Sequence, residues 1–311
     1  MISVIIPNYN GLEHLKTCYY SLLYQSYRDF KIILVDNNSA DDSVNFTRNN
    51  YPDVKIVRLN SNTGFAKAVN EGIRNSDTDY VLLLNNDTEC DKDFLKELIN
   101  GMKDESTGSV ACKMLNYYDR KMIDDAGDFI KSKGSPYARG FGDIDNGQYD
   151  KEEYIFGACA GAALYRTEIF EKTGYFDEDF FAYYEDVDLS FRMQLAGYKC
   201  FYNPKAICFH KRGATSGSQS GFQTMLCEKN LIALRLKNYP LSLLIKNLPF
   251  LAYVRIKRYF IFLTRHSYEL FASAVKGYLK GLIEIPKSLK KRKAIQKNVK
   301  VSVKYIESIL K

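Results

Sequence analysis

Three short stretches put acids, amides and a histidine where apolar runs end. In "VLLLNNDTECD" (81–91) an aliphatic run stops at Asn85, Asn86 and Asp87, with Glu89 and Asp91 close behind. Asn-Asn-Asp suits a plain turn, and Asp91 suits the opening of a helix over "KDFLKELINGM". The same residues suit a hard divalent cation, which takes oxygen ligands and commonly shares one or two carboxylates with a substrate's phosphates. In "FFAYYEDVDLSF" (180–191), Glu185, Asp186 and Asp188 crowd together behind an aromatic run. Buried carboxylates repel one another and resist ionisation, so such a cluster suits proton transfer better than packing. Asp188 has a simpler use, an i,i+4 pair with Arg192. In "AICFHKRG" (206–213) His210 ends an apolar run, with Lys211 and Arg212 beside it to face anions. Asp36 closes "KIILVD" (31–36); it suits either a cap on the next helix or a contact to a ribose or base N–H.

The chain contains no Walker A loop, no GxGxxG, no nucleophile elbow and no zinc-ligand spacing. Phosphate handling then rests on a metal and scattered donors.

The elements that must carry these residues alternate. Short β-branched runs at 2–7, 31–36, 54–59 and 80–84 read as strands. Between them, 11–25, 39–50 and 63–76 have helical spacing, with Ser39 and its following acids as a helix start. Strand–helix alternation with short connections predicts parallel βαβ units with helices on both faces. Ligands bind such sheets at the carboxyl ends of the strands. That places Asn8 and Asn10, Asp36 and Asn37, Asn60 and Asn62, and Asn85 to Asp87 at one edge. The pattern weakens over 105–155, and "GSPYARGFGDIDNGQYD" (134–150) reads as a loop, either at the active site or disordered. Order returns at 154–174 with a small-residue strand and a helix.

Length and composition fit one large domain with an appendage: 311 residues, 46% of them apolar. Seven cysteines, an odd number without a CxxC pair, together with no signal sequence ahead of Ser3, favour a reducing cytoplasmic setting. The net charge of +7 hides a division. Residues 237–311 carry 17 Lys+Arg against 3 Asp+Glu, and residues 1–236 carry 27 against 34. The sequence thus divides into a mildly acidic body, 1–236, and a basic, mainly helical C-terminal region, 237–311. Within the latter, "LSLLIKNLPFLAYVRIKRYFIFL" (241–263) is broken by Lys246, Pro249, Arg255, Lys257 and Arg258, which excludes a membrane span. Aromatic residues mixed with cations suit helices lying in an anionic membrane interface; a helical extension packed on the body is the alternative. No nucleic-acid recognition motif accompanies the basic charge.

Six segments then occur in order: "VIIPNYNG", "LVDNNSADDS", "NTGFAKAVNEGI", "LLLNNDTE", "FDEDFFAYYEDVDLSFR" and "HKRGATS". Together they resemble the family 2 glycosyltransferases, in particular rhamnosyltransferase-like members, over roughly residues 1–236. The resemblance implies a GT-A fold, an α/β architecture with a mostly parallel, Rossmann-like central sheet. It also implies a nucleoside-diphosphate sugar donor, a divalent metal (Mg2+ or Mn2+) and an inverting single displacement. Carried over by motif, Pro7 and Tyr9 border the nucleotide base, Asp36 contacts the nucleoside, and Gly64, Phe65 and Ala66 line its pocket. Asn85, Asn86 and Asp87 stand at the family's DxD metal motif, with Asp87 the metal carboxylate and His210 a further metal or diphosphate contact. Asp186 matches the catalytic base, with Glu185 beside it. Asn85 departs from the motif's first Asp, so metal binding leans more on the diphosphate. The favoured donor is dTDP-L-rhamnose, with a UDP-hexose second. The acceptor is a glycan or lipid-linked hydroxyl, and the enzyme is expected in the cytoplasm, peripheral on the membrane. A nucleotidyltransferase would need a Gly-rich basic loop after the first strand, and "PNYNGLEHLK" is not one. A non-catalytic sugar-nucleotide-binding protein would lack Asp87 or Asp186, and both are present.

Overall fold

A computed structural model describes residues 1–131, 135–211 and 220–310. The first half follows the alternation in the sequence. Strands β1 (Ile2–Asn8), β2 (Phe30–Asp36), β3 (Lys55–Arg58) and β4 (Tyr80–Leu84) are linked by helices α1 (Leu12–Leu23), α2 (Ser43–Asn50) and α3 (Phe65–Arg74). These strands pair in parallel in the order β3-β2-β1-β4, which brings their carboxyl ends to one edge. Their runs are apolar because both faces are covered. Leu15, Tyr19 and Leu22 of α1 pack on one face, and Ala66, Val69 and Ile73 of α3 on the other.

The second half builds outward from β4. It comprises β5 (Thr88–Cys90), α4 (Phe94–Asn100), β6 (Thr107–Asn116), β7 (Ile123–Asp125), β8 (Asp128–Ile130), β9 (Pro136–Ala138), β10 (Glu153–Ile155), β11 (Ala162–Arg166), α5 (Glu168–Thr173), α6 (Glu185–Leu195) and β12 (Lys199–His210). Strand β11 runs antiparallel between β4 and β6; β12 lies parallel to β6 and carries β5 and β10 on its other edge. The sheet is therefore parallel on one side and mixed on the other. Pro204 sits where the β12 register slips between Asn203 and Ile207, so the missing N–H costs no ladder bond.

Several sequence expectations change here. The region of weak pattern holds β6, a central strand buried along nearly its whole length. Residues 135–150 of the expected loop are tied down: Lys113 on β6 reaches Asp145 at 2.9 Å and also pairs with Asp150. Ser39 does not open α2, which starts at Ser43 behind Asp42; its hydroxyl instead accepts hydrogen bonds from Asn8 Nδ2 and the Asn10 N–H. Asp91 accepts from the Asp93 N–H, and it is Asp93 that stands at the N-cap position of α4, its carboxylate accepting from the Ser26 hydroxyl rather than from the helix.

The C-terminal region continues with α7 (Gly221–Asn238), α8 (Leu241–Thr264), α9 (Tyr268–Ile283), α10 (Ile285–Lys297) and α11 (Val303–Ile309). The change in charge at residue 237 falls inside α7, which runs through it unbroken. Leu231, Leu234, Tyr239, Leu243 and Ile306 belong to the same apolar core as α6. The opposite charges of the two regions meet as ion pairs. Lys237, 1% exposed, pairs with Asp177 and lies 2.7 Å from Asp188; Lys291 pairs with Asp177 and Asp179. Among the described residues, no helix is long and apolar enough to cross a membrane.

Candidate active site

The ends of β1, β2 and β4 form the floor of the site. Asn8 and Asp36 are register partners across β1 and β2. Asp36 is fully buried; one oxygen accepts the Ser39 N–H, and the other faces Arg58 Nε at 3.5 Å, beyond good hydrogen-bond range. Pro7 is half-buried, and Tyr9 lies 41% exposed at the rim. Beside them Asn37 is wholly engaged: its amide donates to Asn62 Oδ1 and the Gly64 carbonyl, and its oxygen accepts from Thr63. Gly64 has φ +82°, and a Cβ there would lie 2.5 Å from the Phe181 carbonyl oxygen. That carbonyl accepts from the Phe65 and Ala66 N–H groups at 2.6 and 3.3 Å, so it occupies the start of α3.

At the end of β4 the three motif residues separate in role. Asn86 donates to Asn8 Oδ1 at 2.7 Å, an internal tie between strand ends. Asn85 donates its N–H to the Gly161 carbonyl, and its side chain lies beside Gly161. Asp87 approaches His210, with Oδ1 3.3 Å from Nε2. His210 is placed there because β12 pairs it with Thr88 on β5. Its other nitrogen, Nδ1, is 2.8 Å from Asp124 Oδ2. Burial opposes charge on this imidazole, but Asp124 and Asp87 outweigh it and raise its pKa to about 9. Burial also raises the Asp87 pKa, and His210 more than cancels this, leaving the carboxyl below its ordinary value. With its pKa at about 9 the imidazole is protonated at neutral pH and pairs with both carboxylates; a cation entering here would displace that proton, and Asp124 would then orient the remaining ring N–H. Lys211, named with His210 as an anion contact, instead donates to Thr17 Oγ1 at 2.8 Å. Arg212 lies outside the described residues, as does the rest of that motif.

The second acid group has the opposite environment. Glu185 and Asp186 open α6, immediately after Phe181, Tyr183 and Tyr184, which hold φ of 61°, 71° and 68°. Asp186 accepts from the Ala160 N–H at 3.2 Å and the Val187 N–H at 2.8 Å. Burial raises its pKa despite these bonds. Glu185 is 6% exposed, its Oε2 has no hydrogen-bond partner among the described residues, and burial and then Asp186 push its pKa well up. Asp188 pairs with Arg192 at 3.0 Å, as its spacing suggests. The two acid groups are connected: Ala160 binds Asp186, and its neighbour Gly161 binds Asn85.

Asp124, Asp128 and Cys159 lie beside these groups, and the motifs quoted above do not include them. Atoms of Asp128, Cys159 and Asp186 lie within 4.8 Å of one another. Three acids in "MIDDAGDF" (122–129), set among apolar residues, were the available signal. The argument from costly buried acids that singled out Glu185 and Asp186 applies equally there.

This chain is similar to known proteins in both sequence and fold. It is 27% identical over 220 residues to a poly-beta-1,6-N-acetyl-D-glucosamine synthase of Staphylococcus epidermidis, a match covering 67% of this chain and 49% of that protein. It is 27% identical over 224 residues to the O-antigen biosynthesis protein RfbC of Myxococcus xanthus, covering 69% of this chain and 17% of that one. The chain thus spans half or less of the length of these relatives. Among solved structures, GalNAc-T7 with UDP, GalNAc and Mn2+ superposes with a TM-score of 0.70 at 16% identity, over 99% of this chain and 56% of that one. The mannosyltransferase PcManGT from Pyrobaculum calidifontis, in complex with GDP-Man and Mn2+, superposes with a TM-score of 0.57 at 16% identity, over 90% and 86%. These likenesses identify the GT-A architecture. The family model for glycosyl transferase family 2 matches residues 3–174, more than half of the sequence. The chain belongs to glycosyl transferase family 2.

Proposed function

We propose that the protein transfers a sugar from a nucleoside-diphosphate donor to a hydroxyl of a glycan or lipid-linked acceptor, with inversion, in the synthesis of a surface polysaccharide. The observation that carries this reading is geometric: Asp87 meets His210 at the strand ends, Oδ1 to Nε2 3.3 Å, and the adjacent Gly161–Asn85 and Ala160–Asp186 hydrogen bonds tie the start of α6 to that edge. Asp87 is held charged beside His210, and Asp186 is held with a raised proton affinity. Pro7, Tyr9, Asp36 and Gly64 to Ala66 surround the nucleoside, where the unsatisfied Asp36 oxygen suits a ribose hydroxyl or base N–H. Asn85, Asp87 and His210, once the imidazole has lost its proton, would hold Mg2+ or Mn2+ together with the diphosphate; oxygen and neutral imidazole donors fit such an ion. Such an ion would supply Lewis-acid stabilisation for the leaving diphosphate. Asp186, with Glu185 beside it, takes the proton from the acceptor hydroxyl as the new bond forms at the sugar's C1.

The whole-sequence resemblance supports dTDP-L-rhamnose as donor. A UDP-linked hexose is the second reading, favoured by the relatives named as N-acetylglucosamine polymer synthases. Calorimetry with dTDP-, UDP- and GDP-sugars, with and without Mn2+ or Mg2+, followed by product analysis, decides between them. Metal-dependent binding of one class is expected; turnover of GDP-mannose alone would overturn both donors, and no nucleotide binding at all would overturn the transferase reading.

In functional terms, residues 1–236 carry the chemistry and residues 237–311 bring the enzyme to an anionic membrane on its cytoplasmic face. Leu241, Ile245, Leu248, Ala252, Ile256 and Phe260 recur at helical spacing along α8, and all are exposed. Lys246 and Lys257 flank this stripe and are exposed as well. Inserted in an interface, each large apolar side chain contributes roughly 1.5–3 kcal/mol and each nearby cation about 1 kcal/mol. Co-sedimentation with vesicles containing phosphatidylserine tests this. Binding abolished by Ile245→Ser, Ile256→Ser and Phe260→Ser together is expected, and binding equal to the parent's would contradict it.

A further inference from the structure

The aromatic loop that leads into Glu185 and Asp186 is gripped from two sides. Phe181, Tyr183 and Tyr184 all have positive φ, a conformation that bulky side chains enter only when their surroundings impose it. On one side α3 donates two backbone N–H groups to the Phe181 carbonyl. On the other stands Asn230, a fully buried residue in the middle of α7. Its Nδ2 lies 3.0 Å from the Phe180 carbonyl, 2.9 Å from that of Ala182 and 2.8 Å from that of Tyr183. Two amide hydrogens are thus shared among three carbonyl oxygens. The side chain has one workable orientation, because turning the amide over would set its oxygen against all three.

The helix that carries Asn230 is itself fixed to the same segment. Lys229 donates to the Asp179 carbonyl at 2.6 Å, Lys237 pairs with Asp177 and Asp188, and Asn238 donates to Asp188 Oδ1 at 2.7 Å. These contacts hold the two ends of the segment, 177–179 and 188. Asn230 alone among them reaches the carbonyls of the strained turn between.

We propose that Asn230 is a positioning residue for the acid pair: it holds the Phe180–Tyr183 backbone in the conformation that sets where α6 begins, and so where the Asp186 carboxylate stands. The proposal rests on the reading of Asp186 as the base. It makes α7, the helix that leads from the 1–236 body into the C-terminal region, part of the catalytic apparatus as a support for the acid pair. A displacement of about 1 Å at a reacting group costs on the order of a hundredfold in rate, so a loop freed from its three-carbonyl tie loses turnover while the nucleotide floor stays intact.

The test uses the full chain with Mn2+ and the donor the panel selects, dTDP-L-rhamnose or UDP-N-acetylglucosamine, with water as surrogate acceptor. Asn230→Ala should slow single-turnover donor consumption by roughly 10- to 100-fold. Binding of dTDP or UDP should stay within about threefold of the parent, and hydrogen exchange should rise over 181–187 but not over β1 to β4. Asn203→Ala serves as the control for a merely structural loss. Asn203 is equally buried and its Nδ2 donates to the Glu97 carbonyl at 2.8 Å, but it lies on β12 against α4; its turnover per folded molecule should equal the parent's. Should Asn230→Ala not fold, Asn230→Ser, which can serve one carbonyl, is read the same way with a smaller loss. Unchanged turnover in a folded Asn230 variant, or an equal loss in Asn203→Ala, overturns the proposal. Loss in Asn230→Ala together with parental turnover in Asp186→Asn would instead keep Asn230's grip on the loop and remove Asp186 as the base.

Discussion

The two acid groups of the site sit on one platform and are built in opposite ways. Asp87 faces an imidazole, and that imidazole faces a second carboxylate, so charge in this corner is matched by charge. Glu185 and Asp186 face burial, each other and a few backbone N–H groups, so charge there is resisted. The first environment keeps Asp87 an anion, which can hold a cation once His210 gives up its proton. The second raises the proton affinity of a carboxylate above its ordinary value, as burial does for both acids. Divergent environments for like groups are the usual mark of divided roles.

The division can be broken from either side. The largest effect is expected at Asp186. Asp186→Asn keeps the shape and removes the basicity, so single-turnover transfer should fall by ~10²–10⁴. Asp188→Asn breaks the pair with Arg192 and should act mainly on stability, because Asp188 binds Arg192, Lys237 and Asn238 rather than substrate. Next comes the corner formed by Asp87 and His210. Asp124→Asn leaves His210 in place but weakens its orientation, and apparent Mn2+ affinity, read by nucleotide-binding calorimetry, should drop about 10- to 100-fold.

Smaller effects sharpen the contrast through pH. Because Glu185 and Asp186 have raised folded-state pKa values, their protonated forms are favoured in the native state. Their contribution to stability is full below the unfolded carboxyl pKa, about 4, and is lost as pH rises through the folded values. Glu185→Gln should therefore raise the melting temperature at pH 8 more than at pH 5, and thermal melts at the two pH values check it. An equal gain at both would show that Glu185 is not strained by its charge. The acid limb of the pH–rate profile should likewise lie above the ordinary carboxylate range, since the base must be deprotonated to act.

How much of this was legible in the sequence follows from where each feature gets its stability. Strands β1 to β4 were readable because parallel strands covered on both faces are continuous apolar runs, and their terminal polar residues pointed to the floor of the site. Strand β6 was not. Its sequence, "TGSVACKMLN", mixes small, polar and charged residues, and Lys113 is buried there only because Asp145 and Asp150 come from a distant segment to meet it. Asp87 and His210 were both visible at strand ends, while Asp124 was not, because its role depends on β7 being laid against β6. The basic tail was legible as a charge. That part of this charge locks onto Asp177, Asp179 and Asp188, while α8 keeps an exposed apolar stripe, is a matter of tertiary contact that composition does not encode.

The most direct test of the divided roles measures donor binding and single-turnover transfer in Asp186→Asn and Asp87→Ala side by side, each with and without Mn2+. Asp186→Asn should bind the nucleotide sugar with the parent's metal dependence and transfer it ~10²–10⁴ more slowly. Asp87→Ala should lose the metal-dependent part of binding. The reverse pattern, with Asp186→Asn losing metal-dependent binding and Asp87→Ala binding normally, would contradict the account, as would parental transfer by Asp186→Asn.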